Sequence, residues 1–240
     1  MKHLNEFITE KLKINKETKS FNYYPQKFSE LQKIIKERLE EDKNANLNDI
    51  CLYEIGDYIS LSYLFSGLDP HKIDISEWDV SNVFDMTGMF KGCNNLECDL
   101  SKWNVSNVIN MGSMFIYCNK FSSDLSEWNV SKVKDMSSMF DECTSFNSDL
   151  SKWDVSRCQD MRNMFARCLN FNSDLSKWKV SRVADMDFMF FDCKKFNADL
   201  SNWNPSSIDE FECMSSMFDN CTSLNIPDWY KKLYKKLADK

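Results

Sequence analysis

The chain has 240 residues, 42% of them apolar, enough to bury a sizeable core as one elongated domain. Its 37 acidic and 30 basic side chains leave a formal net charge of −7, which argues against a general nucleic-acid binder, and no basic stripe is visible along the repeats described below. No apolar run approaches the roughly 18–20 residues that cross a bilayer, and with two histidines and five glycines there is little material for a His-based catalytic site or a phosphate-cradling loop.

Read from its start, Met1–Glu10 lacks the apolar stretch and small-residue cleavage site of a secretory leader, so none is expected. Residues 1–24 are polar and mixed, an arm that suits a solenoid cap better than a docking or packaging tag. Phe28, Leu31, Ile34, Ile35 and Leu39 then trace an amphipathic helix, with Ser29 and Gln32 in a capping-box arrangement. Residues 1–54 are read as an N-terminal arm and capping helix.

Residues 55–225 repeat. Trp78, Trp103, Trp128, Trp153, Trp178 and Trp203 fall 25 residues apart, and Cys93, Cys118, Cys143, Cys168 and Cys193 keep the same step. Each Met-Phe pair from Met89-Phe90 to Met189-Phe190 does so too. Leu61, Leu64, Phe65 and Leu68 form a worn first copy, and the last carries a three-residue insertion that delays Met214, Met217-Phe218 and Cys221. A fixed period of this size marks one supersecondary unit copied and stacked. Within a copy, Met86, Met89, Phe90 and Cys93 stand at i, i+3, i+4 and i+7, which predicts a short helix with Ser81 at its N-cap and Asp85 in its first turn. Asp99–Trp103 mixes polar and apolar residues as a brief strand does. The expected fold is therefore an α/β solenoid, a stack of 25-residue strand–turn–short-helix coils with helical end caps. Residues 226–240 close it: Trp229, Leu233 and Leu237 share one face of a basic helix, read as an end cap rather than a membrane anchor.

The string Cys-x2-Phe-x3-Leu-Ser-x-Trp-x-Val-Ser-x-Val-x-Asp-Met-x2-Met-Phe resembles the 25-residue repeat of BspA-family leucine-rich-repeat proteins, a type abundant in mycoplasma surface lipoproteins. The resemblance spans about residues 55 to 225 and rests on the Trp-Asn/Asp-Val-Ser and Asp-Met-x2-Met-Phe blocks. It implies a leucine-rich-repeat-like solenoid and a cell-surface or host-interacting role.

Three ladders invite sharper readings. Ten cysteines suggest disulfides or a metal, but there is no CxxC, and buried free thiols acting as small apolar groups fit better. The methionines are read as core. The carboxylates Asp74, Asp99, Asp124, Asp149, Asp174 and Asp199 could gather divalent cations, or each could accept backbone N–H groups beside its neighbouring serine; the second is preferred. No catalytic residue, cofactor or metal ligand is assigned.

Repetition preserves scaffold, so function is sought where the copies disagree. Phe84, Ile109, Ile116, Tyr117, Phe188 and Phe191 are apolar where other copies carry Lys134, Gln159, Asp141 or Glu142, which marks them as candidate partner-binding residues. Arg157, Arg162 and Arg167 form a lesser candidate for an acidic partner. The expectation is a non-enzymatic protein-interaction scaffold, with a surface adhesin or a structural or packaged phage component as alternatives. The expected location is cytoplasmic or virion-associated, or the cell surface if a leader lies outside this chain.

Overall fold

The computed structural model describes residues 21–56 and 59–239. Residues 1–20 of the arm read over residues 1–24 lie outside them.

The expected α/β solenoid does not form. Among the described residues there are two α-helices, α1 (Phe28–Glu41) and α2 (Asp228–Ala238), both outside the regular copies. A two-stranded parallel sheet joins β1 (Ile59–Ser60) to β2 (Val83–Asp85), and among the described residues no stack of strands is present. Two 3-10 turns, Tyr53–Ile55 and Phe211–Cys213, complete the regular structure. The copies between them are made of turns.

Hydrogen bonding explains why. In an α-helix every N–H would seek the carbonyl four residues back. Along the Met-Phe segment, alternate N–H groups instead donate out of the copy. Those of Met111, Ser113, Phe115 and Tyr117 reach the carbonyls of Asp135, Ser137, Met139 and Asp141 at 2.7–2.9 Å. The intervening N–H groups of Met114 and Cys118 close tight turns onto Met111 and Phe115 three residues back. The same pattern joins Met136, Ser138, Phe140 and Glu142 to the following copy. Ser113, Ser138 and Asn163 accordingly take φ of 53–57°, and Tyr117, Glu142 and Arg167 take 57–64°. Left-handed residues at those positions cannot continue a right-handed helix. The apolar spacing that reads as a helical stripe therefore comes from successive turns pointing inward.

The predicted strand fails for a related reason. Trp103 N–H folds back onto Leu100 O at 3.1 Å, and Asp99 Oδ1 accepts Ser101 N–H at 2.9 Å. An Asx turn occupies the place of a strand. Further Asx turns stand at Asn104–Ser106 and at Asp135–Ser137. Ser81 and Asp85 are not helix-capping residues; Asp85 instead receives Thr87 N–H at 3.0 Å.

Successive turn-built coils lie against one another in register, joined by single parallel bridges from Asp85 through Asn110, Asp135 and Asp160 to Asp185. Their centre is filled by columns of rings. Phe90, Phe115, Phe140, Phe165 and Phe190 stack with centroids 5.5–5.7 Å apart, and Phe115, Phe140, Phe165 and Phe190 each pair sideways at 4.0–4.2 Å with Phe121, Phe146, Phe171 and Phe196. Each buried Trp donates its indole N–H to a carbonyl of the preceding coil, as Trp153 does to Leu125 O at 2.9 Å, so a large apolar ring is buried without orphaning its donor. Trp229, which the sequence places on a capping helix, continues this column: it stacks on Trp203 at 6.5 Å and donates to Leu200 O.

Helix α1 buries Leu31, Ile35 and Leu39, while Phe28 and Ile34 are partly buried. Its Ser29 and Gln32 form no capping box; Lys27 is the N-cap, and Glu30 reaches back to accept Gln26 N–H at 2.8 Å. Helix α2 buries Tyr230 and Leu237, and the Tyr230 hydroxyl donates toward Met214 O and Ser215 O of the last coil.

Candidate functional site

The candidate residues divide between two columns. Phe84 and Ile109 are half-buried neighbours just before the bridge residues Asp85 and Asn110, with Ile109 N–H donating to Phe84 O at 2.8 Å. Of the other four, Ile116, Tyr117 and Phe191 lie just after the Met-Phe pair, at and around the second left-handed position of each coil, whereas Phe188 precedes its pair at the first left-handed position. There Ile116 is 9% exposed and belongs to the packing, whereas Tyr117 and Phe188 are 40% and 38% exposed.

This second corner is continuous from coil to coil. Tyr117 N–H donates to Asp141 O, Glu142 N–H to Ala166 O, and Arg167 N–H to Phe191 O, so the side chains at 117, 142 and 167 follow one line. Arg167 ties it together. Its Nη1 lies 3.0 Å from Asp141 Oδ1 and 3.7 Å from Glu142 Oε1, and its guanidinium sits 5.3 Å over the Phe191 ring. Phe191 in turn meets Phe188 edge to face at 5.6 Å. Removal from water pushes the Asp141 carboxyl up to about 6, although Arg167 beside it pulls the other way.

The arginines that the sequence groups do not act together. Arg162 pairs with Asp160 at 2.9 Å, Arg167 serves the aromatic corner, and Arg157 stands exposed in a different column. Tyr24, Tyr63, Leu169 and Tyr234 are exposed and escaped the sequence reading; two of them lie in the coils. Leu169, 37% exposed, follows Arg167 by two positions. Tyr63, 50% exposed, sits over Gly88, where a Cβ would come within 2.5 Å of its ring. Leu169 was legible as an apolar residue among Asn119, Thr144 and Lys194; Tyr63 was hidden because its copy is worn.

The ladders are structural. Cys118, Cys143, Cys168 and Cys193 are buried and donate their thiols to Phe90, Phe115, Phe140 and Phe165 carbonyls of the preceding coil at 2.9–3.0 Å. Burial pushes these thiols up, away from reactivity. Asp99, Asp124, Asp149, Asp174 and Asp199 each accept N–H from the serine two residues on, and those bonds hold their carboxyls below the ordinary range. Among the described residues no cluster of His, Cys, Asp and Glu is arranged to hold a metal.

A repeat family matches this chain twice, over residues 59–168 and 146–237, and is described as Mycoplasma protein of unknown function, DUF285. The chain belongs to that family. No curated protein and no solved structure matches it.

Proposed function

We propose that the chain is a non-enzymatic protein-interaction module whose partner contacts lie on the Tyr117–Arg167–Phe188 corner. One observation carries this reading: exposed Tyr117 and half-exposed Arg167 follow one line, Arg167 lies over Phe191, and Phe191 meets exposed Phe188 from the neighbouring column, where the scaffold demands none of these side chains. Tyr and Arg are the side chains that dominate interface energetics, because they bring large contact area and several donors. The motif resemblance to BspA-type surface repeats supports a protein-facing role of this kind.

The repeat itself supplies the test substitutions. Glu142 occupies the left-handed place equivalent to Tyr117, and Asn163 that of Phe188. A Tyr117→Glu/Phe188→Asn variant therefore keeps residues the backbone already accepts. In affinity purification from the native host, the variant is expected to lose the wild type's partner, by roughly tenfold in affinity or about 1.4 kcal/mol, with its thermal transition little changed. An unchanged set of bound proteins, or a large fall in the transition, would sink the proposal.

A further inference from the structure

A different face carries a charge pattern that the net charge of −7 conceals. Each coil presents outward residues just before its bridge. In the copies that begin this face they are uncharged: Asn82 and Phe84, then Asn107 and Ile109. In the next three they become Lys132 and Lys134, then Arg157, then Arg182, all exposed, and exposed Lys179 joins them from the adjoining column of Asp79, Asn104, Asn129 and Asp154. Backbone bonds align them, with Lys134 N–H on Ile109 O, Gln159 N–H on Lys134 O and Ala184 N–H on Gln159 O, each at 2.8 Å. Lys132 Nζ reaches Asn107 Oδ1 of the coil before at 2.6 Å. Asp154 lies among these cations, held below the ordinary range first by its bonds to Ser156 and then by Lys179 and Arg157. Half-buried Asp135, Asp160 and Asp185 border the stripe, and exposed Asp209 and Glu210 stand beyond it in the last coil.

Beyond the uncharged wall of the last coil, α2 brings two further cations to the same end of the column. A cleft at the far end of the column is walled by Asn204, Ser206 and Ile208 of the last coil and by Trp229, Lys232 and Lys236 of the helix. Five cations of the coils thus run toward two more on the helix.

We infer that this stripe binds an extended acidic polypeptide segment laid across the coils. Arg157 and Arg182 form no ion pair among the described residues, and planar guanidinium groups suit bidentate pairing with carboxylates. The stripe is local and acts within about a Debye length, roughly 8 Å at physiological salt, so a short acidic segment feels it. A long nucleic acid or an anionic membrane would also meet the acidic remainder of the chain. The stripe also lacks the exposed aromatic platforms on which unpaired bases stack.

The test is fluorescence anisotropy with a labelled oligoglutamate of about ten residues, which reaches about 33 Å when extended. The native chain is expected to bind it at low salt and to lose roughly tenfold in affinity as salt rises from about 50 to 200 mM. Arg157→Glu/Arg182→Glu should weaken binding by roughly tenfold or more, and Lys232→Glu/Lys236→Glu by about threefold. Lys33→Glu/Lys36→Glu on α1, which changes net charge equally, should cost less than about twofold. Failure of the native chain to bind the peptide, or equal losses in all three variants, overturns the inference. So does tighter binding of an oligothymidylate of similar length or of phosphatidylserine vesicles, which would assign the stripe to nucleic acid or membrane.

Discussion

At the scale of single residues, the chain's oddity is how many non-glycine residues it holds in left-handed backbone. Tyr63, Ser113, Ser138, Asn163 and Phe188 form one such column; Tyr117, Glu142, Arg167, Asp192 and Asn220 form another. Gly88 belongs to the first column, and Gly67 and Gly92 to the second. Because the strain recurs in every coil, it belongs to the architecture rather than to a site. The glycines allow a graded test. At Gly92 (φ 77°) an added Cβ meets open space, so Gly92→Ala should cost about 1 kcal/mol from backbone strain alone. At Gly88 (φ 59°) the Cβ also collides with Tyr63, so Gly88→Ala should cost clearly more, about 2–3 kcal/mol by denaturant melts. Equal costs would show that Tyr63 yields freely. The signal was present in the sequence, since Gly92 aligns with Tyr117, Glu142 and Asn220, but a helical spacing read from apolar positions alone passes over it.

At the scale of one coil, each repeat element supports its neighbours and is supported by them. Trp153 is 3% exposed, stacks on Trp178 and donates to Leu125 O. Trp153→Ala should cost about 3–5 kcal/mol by the large-to-small rule. Trp78 is 5% exposed and also donates its indole N–H, but it stands near the end of the column. Its replacement should cost less, because fewer coils depend on it. Equal effects in melts would argue against a cooperative column. The α1 and α2 elements were legible from apolar spacing, because a helix lying on a core hides one stripe. The coil elements were misread, because a turn-built coil also hides residues three and four apart.

For the molecule as a whole, the repeated carboxylates set a two-sided pH dependence. Asp99, Asp124, Asp149, Asp174 and Asp199 are held below their unfolded values by their serine N–H bonds, so their contribution is present above the unfolded value and lost as pH falls through the folded ones. Asp141 has the opposite sign. Its carboxyl is raised to about 6, so its contribution is full below an unfolded value near 4 and lost as pH rises through about 6. Thermal midpoints should therefore peak close to the unfolded carboxylate value of about 4 and decline toward pH 6, and Asp141→Asn should flatten that upper limb without touching the acid one. An upper limb unchanged in that variant would refute the assignment.

The 25-residue period by itself determined that copies stack, which residues face inward, and that the Trp, Met and Cys columns are packing rather than chemistry. Inward and outward follow from apolarity, and apolarity is written in the sequence. Only the tertiary structure decided what each coil is made of, because alternate N–H groups bond across coils, to partners 24 residues away that no local window contains. It also decided which outward residues become neighbours. Arg157, Arg162 and Arg167 are close in the chain but part into three settings, whereas Lys132, Arg157 and Arg182, a full period apart, join one stripe. In a stacked column, distance along the chain matters less than register between coils.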